Sequence, residues 1–201
     1  DSSGNLIIKE VANAITIGAS GDTITIPSGA TISNSGTATG FGGITVADQW
    51  RVTADVTSDG DITSNWERCD TSPQGSLSTI TESSGIFSFP STGYWLITFT
   101  ASGMTSGSDN IAIQIHGTAN NSSYVSLAYG ANGGTSQSQD ATCQTIIDVT
   151  DTAQVKVKMH ATSMGSGSVW YGSTSETYTG TTFLRLVVVF YDKRLFTFSF
   201  S

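Results

Sequence analysis

Apolar residues along this chain recur at period two, not at the spacing of a helical face. Val155, Val157 and Met159 alternate with Lys156, Lys158 and His160, which predicts a strand with the first set buried and the second in water. Trp50, Val52, Ala54 and Val56 alternate with polar neighbours, and Ile111, Ile113 and Ile115 share one face in the same way. Shorter apolar runs at residues 77–80, 86–89, 125–129 and 145–149 are separated by Gly, Ser and Asn, the residues that punctuate strands as turns. No stretch repeats apolar residues at i, i+3, i+4 and i+7 for long enough to hold a helix. The pattern predicts an all-β chain folded as an antiparallel two-sheet sandwich or jelly roll.

Two strands break the one-face rule. Residues 94–99 and 183–190 are apolar on both faces, and a second apolar face needs a cover, for which a neighbouring subunit is the economical source. Trp95, Ile97 and Phe183 are therefore candidate interface residues. Arg185 joins them as the one charge in its strand, because a buried charge needs an acidic partner and a neighbouring subunit supplies one.

Ahead of these strands, residues 13–43 form a low-complexity repeat. Ile15, Ile17, Ile24, Ile26 and Ile32 are spaced by the pairs Ser20-Gly21, Ser28-Gly29 and Ser35-Gly36. One short strand with a corner cannot bury its isoleucines alone, whereas stacked turns or three chains wound together can. The alternative is a flexible linker, which has no use for regularly placed isoleucines. Gly40-Phe41-Gly42-Gly43 interrupts the repeat, so residues 1–43 are expected to be a stalk or attachment segment and residues 44–201 a head. At the far end, Phe196, Phe198 and Phe200 alternate with Thr197 and Ser199. This predicts an extra strand at residues 195–201, docked either in its own sandwich or on an adjacent protomer or partner protein.

Composition narrows the function. Only 12% of the 201 residues are charged, against about 25% in ordinary globular chains. A net charge of −8 argues against nucleic-acid binding, which needs Lys and Arg gathered against phosphates. No apolar run approaches the ~20 residues of a membrane span, so no membrane insertion is expected. Cys69 and Cys143 have neither CxxC nor metal-ligand spacing. They are expected to be free, buried, apolar-like thiols, a disulfide being the alternative. The chain opens on Asp1-Ser2-Ser3-Gly4 with no signal-peptide pattern, as a processed product or a piece of a longer polypeptide would.

Signs of chemistry are sparse. GxSxG, HExxH, P-loop, GxGxxG and CxxC patterns are all missing. His116 and His160 read as structural, and nothing argues for a triad assembled from distant residues. The expectation is no enzyme and no cofactor. Asp55, Asp59 and Asp61 around Gly60 are a weak calcium candidate without the EF-hand spacing. Trp170, Tyr171 and Tyr178, set among Gly and Ser, suit contact with a glycan or protein surface, or else pack inside the domain.

The segment Gly85-Ile86-Phe87-Ser88-Phe89-Pro90-Ser91-Thr92-Gly93-Tyr94-Trp95-Leu96 resembles the signature of the complement and tumour-necrosis-factor jelly-roll superfamily, in which a Phe strand, a Pro-x-x-Gly-Tyr turn and an aromatic strand follow in this order. Asp151-Thr152-Ala153-Gln154-Val155 and Gly180-Thr181-Thr182-Phe183 resemble its later polar turn and closing strand. Ala47-Asp48-Gln49-Trp50-Arg51 and Ser64-Asn65-Trp66-Glu67-Arg68 further resemble the opening of such domains in fibre and decoration proteins of marine tailed phages. The resemblance implies a homotrimeric jelly roll without catalysis, on the exterior of a virion, acting in particle reinforcement or host attachment. Other virion proteins would be met through the stalk or the C-terminal tail, and a host surface glycan or protein through the head. The rival classes are a secreted or cell-surface complement-like adhesion module and a small hydrolase.

Overall fold

Large apolar side chains at every second position need a second sheet to cover them, and the chain supplies one. The computed structural model describes residues 8–11, 14–17, 21, 23–27, 30, 44, 46–77 and 79–186. Two units separate, residues 1–41 and residues 42–201. In the first, β1 (Ile8–Val11) pairs antiparallel with β2 (Ala14–Ile17), Ile8 opposite Ile17. Residues 23–27 form no strand, and Ile24 and Ile26 are exposed within the single chain. The strand read there from the repeat is not formed within these described residues.

The second unit is an all-β jelly roll. Its strands are β3 (Ala47–Val52), β4 (Gly60–Asp61), β5 (Trp66–Arg68), β6 (Thr81–Ser83), β7 (Ile86–Ser88), β8 (Gly93–Met104) and β9 (Ser108–Thr118). They continue with β10 (Val125–Thr135), β11 (Ser138–Val149), β12 (Lys156–Thr162), β13 (Val169–Trp170) and β14 (Gly180–Leu186). One sheet runs β11-β8-β14-β3-β5, with β13 on β8; the other runs β10-β9-β12-β7-β6, with β4 on β12. Every pairing is antiparallel. The expected strand at residues 195–201 lies outside the described residues.

Alternation holds where one face is wet. In β12, Val157, Met159 and Ala161 are buried, while Lys156, Lys158, His160 and Thr162 face outward. Two strand readings are corrected. β3 stops at Val52, so Ala54 is exposed and Val56 is held by a single bridge to Trp170. Residues 77–80 contribute only the Leu77 to Ala47 bridge. The polar residues 130–135 and 138–144, outside the apolar runs, also belong to β10 and β11, because paired backbone tolerates a wet polar sequence.

The core is aromatic at its centre. Phe87 lies 5.7 Å from Trp50, 5.1 Å from Trp66 and 5.2 Å from Phe183, and Phe89 lies 5.0 Å from Trp95. Pro90 and Gly93 make this possible: Pro90 follows the end of β7, and Gly93 opens β8 at a φ of +123° that L side chains resist.

Cys69 and Cys143 are free and buried. Burial pushes the Cys143 thiol up to about 11, against an ordinary 9.0. The unfolded thiol therefore ionises first, and this site's stabilisation is lost as pH rises from 9.0 towards 11. At pH 8.5 the folded protein should react with iodoacetamide at Cys143 on the order of 100-fold more slowly than a free thiol. In guanidinium without reductant both cysteines should be labelled, as peptide mass mapping would show.

Candidate functional site

Two surfaces and one buried ion network stand out. The first surface is the outer face of the sheet containing β8. Tyr94, Leu96, Thr98 and Thr100 point outward from β8 while Trp95, Ile97, Phe99 and Ala101 point inward. Register places Ile146 of β11, Leu96 of β8, Leu184 of β14 and Ala47 of β3 in one row across four strands. Tyr94 and Leu186 pair in the next row. Ile146 is 59% and Tyr94 39% exposed, an apolar stripe where a monomer would carry polar residues.

That face corrects the interface reading. Trp95, Ile97 and Phe183 have no exposed surface, because they occupy the inward half of the alternation and fill the space between the sheets. Of the two apolar faces of β8 and β14, the one holding Trp95, Ile97 and Phe183 is covered by the chain's own second sheet. Arg185 is half-buried, and its Nε and Nη2 donate to Thr92 O at 3.1 and 3.0 Å. These hydrogen bonds tie it to the turn that leads into β8.

The aromatic loop divides. Trp170 is wholly buried: β13 pairs with β8 at Gly103, and the backbone of Trp170 exchanges hydrogen bonds with Val56 at 3.0 and 2.9 Å. It is a core residue and not a ligand contact. Tyr171 is half-buried and Tyr178 40% exposed, their rings 6.1 Å apart at 72°.

The carboxylates around Gly60 go separate ways. Asp55 Oδ1 accepts from Gly172 N at 2.9 Å, and Asp59 Oδ1 accepts from Met164 N at 2.8 Å. Asp61 alone turns to the second surface, the outer face of the sheet containing β12. Two-residue β4 sets Asp61 opposite His160, and β9 brings His116 opposite Lys158. His160 Nδ1 lies 2.8 Å from Asp61 Oδ1, and Lys158 Nζ donates to Oδ2 at 2.9 Å. His116 stacks on His160 at 4.4 Å, with its Nδ1 3.7 Å from Asp61 Oδ1. Burial opposes ionisation of Asp61, but hydrogen bonds from His160 and Lys158 outweigh it and hold the carboxyl below its ordinary pKa. Burial, then the charge of His160, holds the His116 imidazole below its ordinary value. Sequence reading took both histidines as structural, since nothing in a linear pattern shows that two neighbouring strands and a two-residue bridge bring them to one carboxylate.

The ion network was also missed. Asp48 and Arg51 on β3 are wholly buried. Arg51 Nε donates to Glu67 at 3.0 Å, and its Nη atoms reach Asp70, Thr71 and Thr174 O, so the segments holding these residues cover the outside of β3. Their signal was charge inside an apolar alternation.

No family profile and no curated protein matches the sequence. Among solved structures, the chain is similar to Eiger TNF from S. frugiperda at 14% identity, covering 76% of this chain and 99% of that one, with a TM-score of 0.55. It is also similar to murine APRIL at 8% identity, covering 70% and 98%, with a TM-score of 0.52. These establish a jelly roll of the tumour-necrosis-factor type as a fold.

Proposed function

We propose that the chain is a non-enzymatic structural and binding module whose head assembles as a homotrimer through the outer face of β11, β8 and β14. The observation that carries this reading is the row Ile146, Leu96 and Leu184 with Tyr94 and Leu186 beside it. Among the described residues, the row of Ile146, Leu96 and Leu184 carries no charge, and the adjacent row carries one exposed carboxylate, Asp148 opposite Tyr94. Copies with a net charge of −8 repel one another, so contact centred on the uncharged apolar row is the favourable geometry. The test is the mass of the full chain by light scattering. Wild type should run near three times 20.9 kDa, whereas Leu96→Glu combined with Ile146→Lys should run as a monomer with unchanged far-UV circular dichroism. A monomeric wild type would overturn the reading.

The finer placement is the exterior of a phage virion, as capsid decoration, fibre or tail fibre, in particle reinforcement or host attachment. It is supported by the Ile/Thr/Gly repeat ahead of the head and by the two segments that resemble marine-phage versions of the domain. Those segments are neighbours in space, as Trp50 pairs with Arg68 and Arg51 with Glu67. Residues 1–43 and the tail at 195–201 would meet other virion proteins, and Tyr171 with Tyr178 would be the candidate contact for a host glycan or protein. Labelled antibody on purified particles tests the placement. The second reading, a secreted or cell-surface complement-like binding module, is favoured by the fold itself, which Eiger TNF and APRIL share. A signal peptide upstream in the complete reading frame would select it.

A further inference from the structure

Three strands converge on one point of the head's surface with the donor set of a transition-metal site. Asp61 comes from β4, His116 from β9 and His160 from β12. Among the described residues, this is the one group of three whose potential ligand atoms all lie within 4.8 Å of one another. A tetrahedral ion with donors at about 2.0–2.2 Å holds neighbouring donors about 3.3–3.6 Å apart along each edge. The separations found, 2.8 Å from Asp61 Oδ1 to His160 Nδ1 and 3.7 Å to His116 Nδ1, straddle that edge. Small side-chain rotations would equalise them.

The surroundings orient the donors. Gln114 Oε1 lies 2.6 Å from His116 Nε2 and accepts its proton, which leaves the Nδ1 lone pair facing the Asp61 carboxylate. Two acceptors face to face leave room for a cation between them. This is the arrangement by which metal-ligating histidines are fixed, the far ring nitrogen donating to an oxygen behind it. Lys158 holds Asp61 Oδ2 at 2.9 Å, setting the carboxylate rotamer so that Oδ1 points at both rings. Its charge lies on the oxygen remote from the rings, so it weakens cation binding without occupying the ligand positions.

We propose that Asp61 Oδ1, His116 Nδ1 and His160 Nδ1 form a binding site for a divalent transition-metal ion such as zinc. Two imidazoles and one carboxylate suit zinc, nickel or copper and not calcium, which takes six to eight oxygens. The side chains are between 18% and 29% exposed, so the remaining coordination positions are open to water or to a ligand from another molecule. The ion would pin the segment around Gly60 to the sheet through Asp61.

Isothermal titration of the full chain with zinc chloride tests this. One ion per chain is expected, with the heat abolished in His116→Ala, His160→Ala and Asp61→Asn. Gln114→Leu should weaken binding about tenfold by releasing the His116 ring. Asp55→Asn and Asp59→Asn should bind as wild type does, and calcium should give no heat. Cobalt(II) should produce visible bands of nitrogen and oxygen ligation without a thiolate charge-transfer band. The proposal is overturned by absence of saturable zinc binding, by binding that survives in folded His116→Ala and His160→Ala, or by a thiolate band that assigns the ion to Cys69 or Cys143. Because the three side chains point outward, circular dichroism should show the variants folded.

Discussion

Phe87→Ala should destabilise the head by about 3–5 kcal/mol in urea unfolding, the range for emptying a buried aromatic position. Phe87 has no exposed surface and stands between the sheets. It meets Trp50 at 79° and Trp66 at 83°, both edge to face, and Phe183 at 38°. Each such aromatic pair adds about 0.5–1.5 kcal/mol beyond the buried area. Three partners on two different strand pairs cannot all relax into one cavity, so the upper half of the range applies. Phe87→Leu keeps much of the burial but loses the ring contacts, and should cost distinctly less. A loss under about 1 kcal/mol for the alanine variant, at the low end of ordinary point mutations, would mean that Phe87 is not at the centre of the core. The midpoint should move with an unchanged slope, because the surface exposed on unfolding is nearly the same.

The same residue shows what was legible beforehand. Ile86, Phe87, Ser88, Phe89 and Pro90 announced a strand, a stop and a turn because each rests on local chemistry: period-two packing, the missing N–H of proline, the freedom of glycine at Gly93. β12 and β9 were legible for the same reason. What local pattern cannot give is which half of a two-sided strand faces inward. In β8, Trp95, Ile97 and Phe99 went in and Tyr94 and Leu96 went out, a choice that depends on what the second sheet presents and not on the strand's own pattern. Trp170 was left open between surface contact and the interior on similar grounds. Its Gly and Ser neighbours suggested a surface loop, yet two residues of strand pairing with β8 carry it into the core. The metal-ligand group was the least legible. Asp61 stands far from His116 and His160 in sequence, and only the pairing of β4 and β9 on either side of β12 brings the three together.

Charge buried in β3 leads to the second large effect. Asp48→Ala should cost about 3–5 kcal/mol, the range for breaking a buried ion pair from one side. Asp48 is wholly buried; its Oδ1 accepts from Arg68 Nε at 3.0 Å and its Oδ2 from Ile80 N at 2.8 Å. Arg68 in turn donates to Ile80 O at 2.6 Å and lies 4.6 Å over the Trp50 ring. One carboxylate thus adds a side-chain tie to the pairing of β3 with β5 and carries it on to Ile80, in the segment leading into β6. Removing it leaves a buried Ile80 N–H without an acceptor and a half-buried guanidinium without its counter-charge, and both penalties fall on the folded state. Asp48→Asn retains one acceptor oxygen but presents an amide NH₂ to one of two donors, so it should also be destabilising, by about 1–3 kcal/mol. A buried pair is poorly screened, and the loss should persist in 1 M salt, where surface ion pairs fade. The cycle with Arg68→Ala separates this account from simple packing. Once Arg68 is gone, Asp48→Ala no longer strands a cation, so the double variant should be less destabilised than the sum of the two single ones. Additive losses would mean that Asp48 acts through the Ile80 backbone alone.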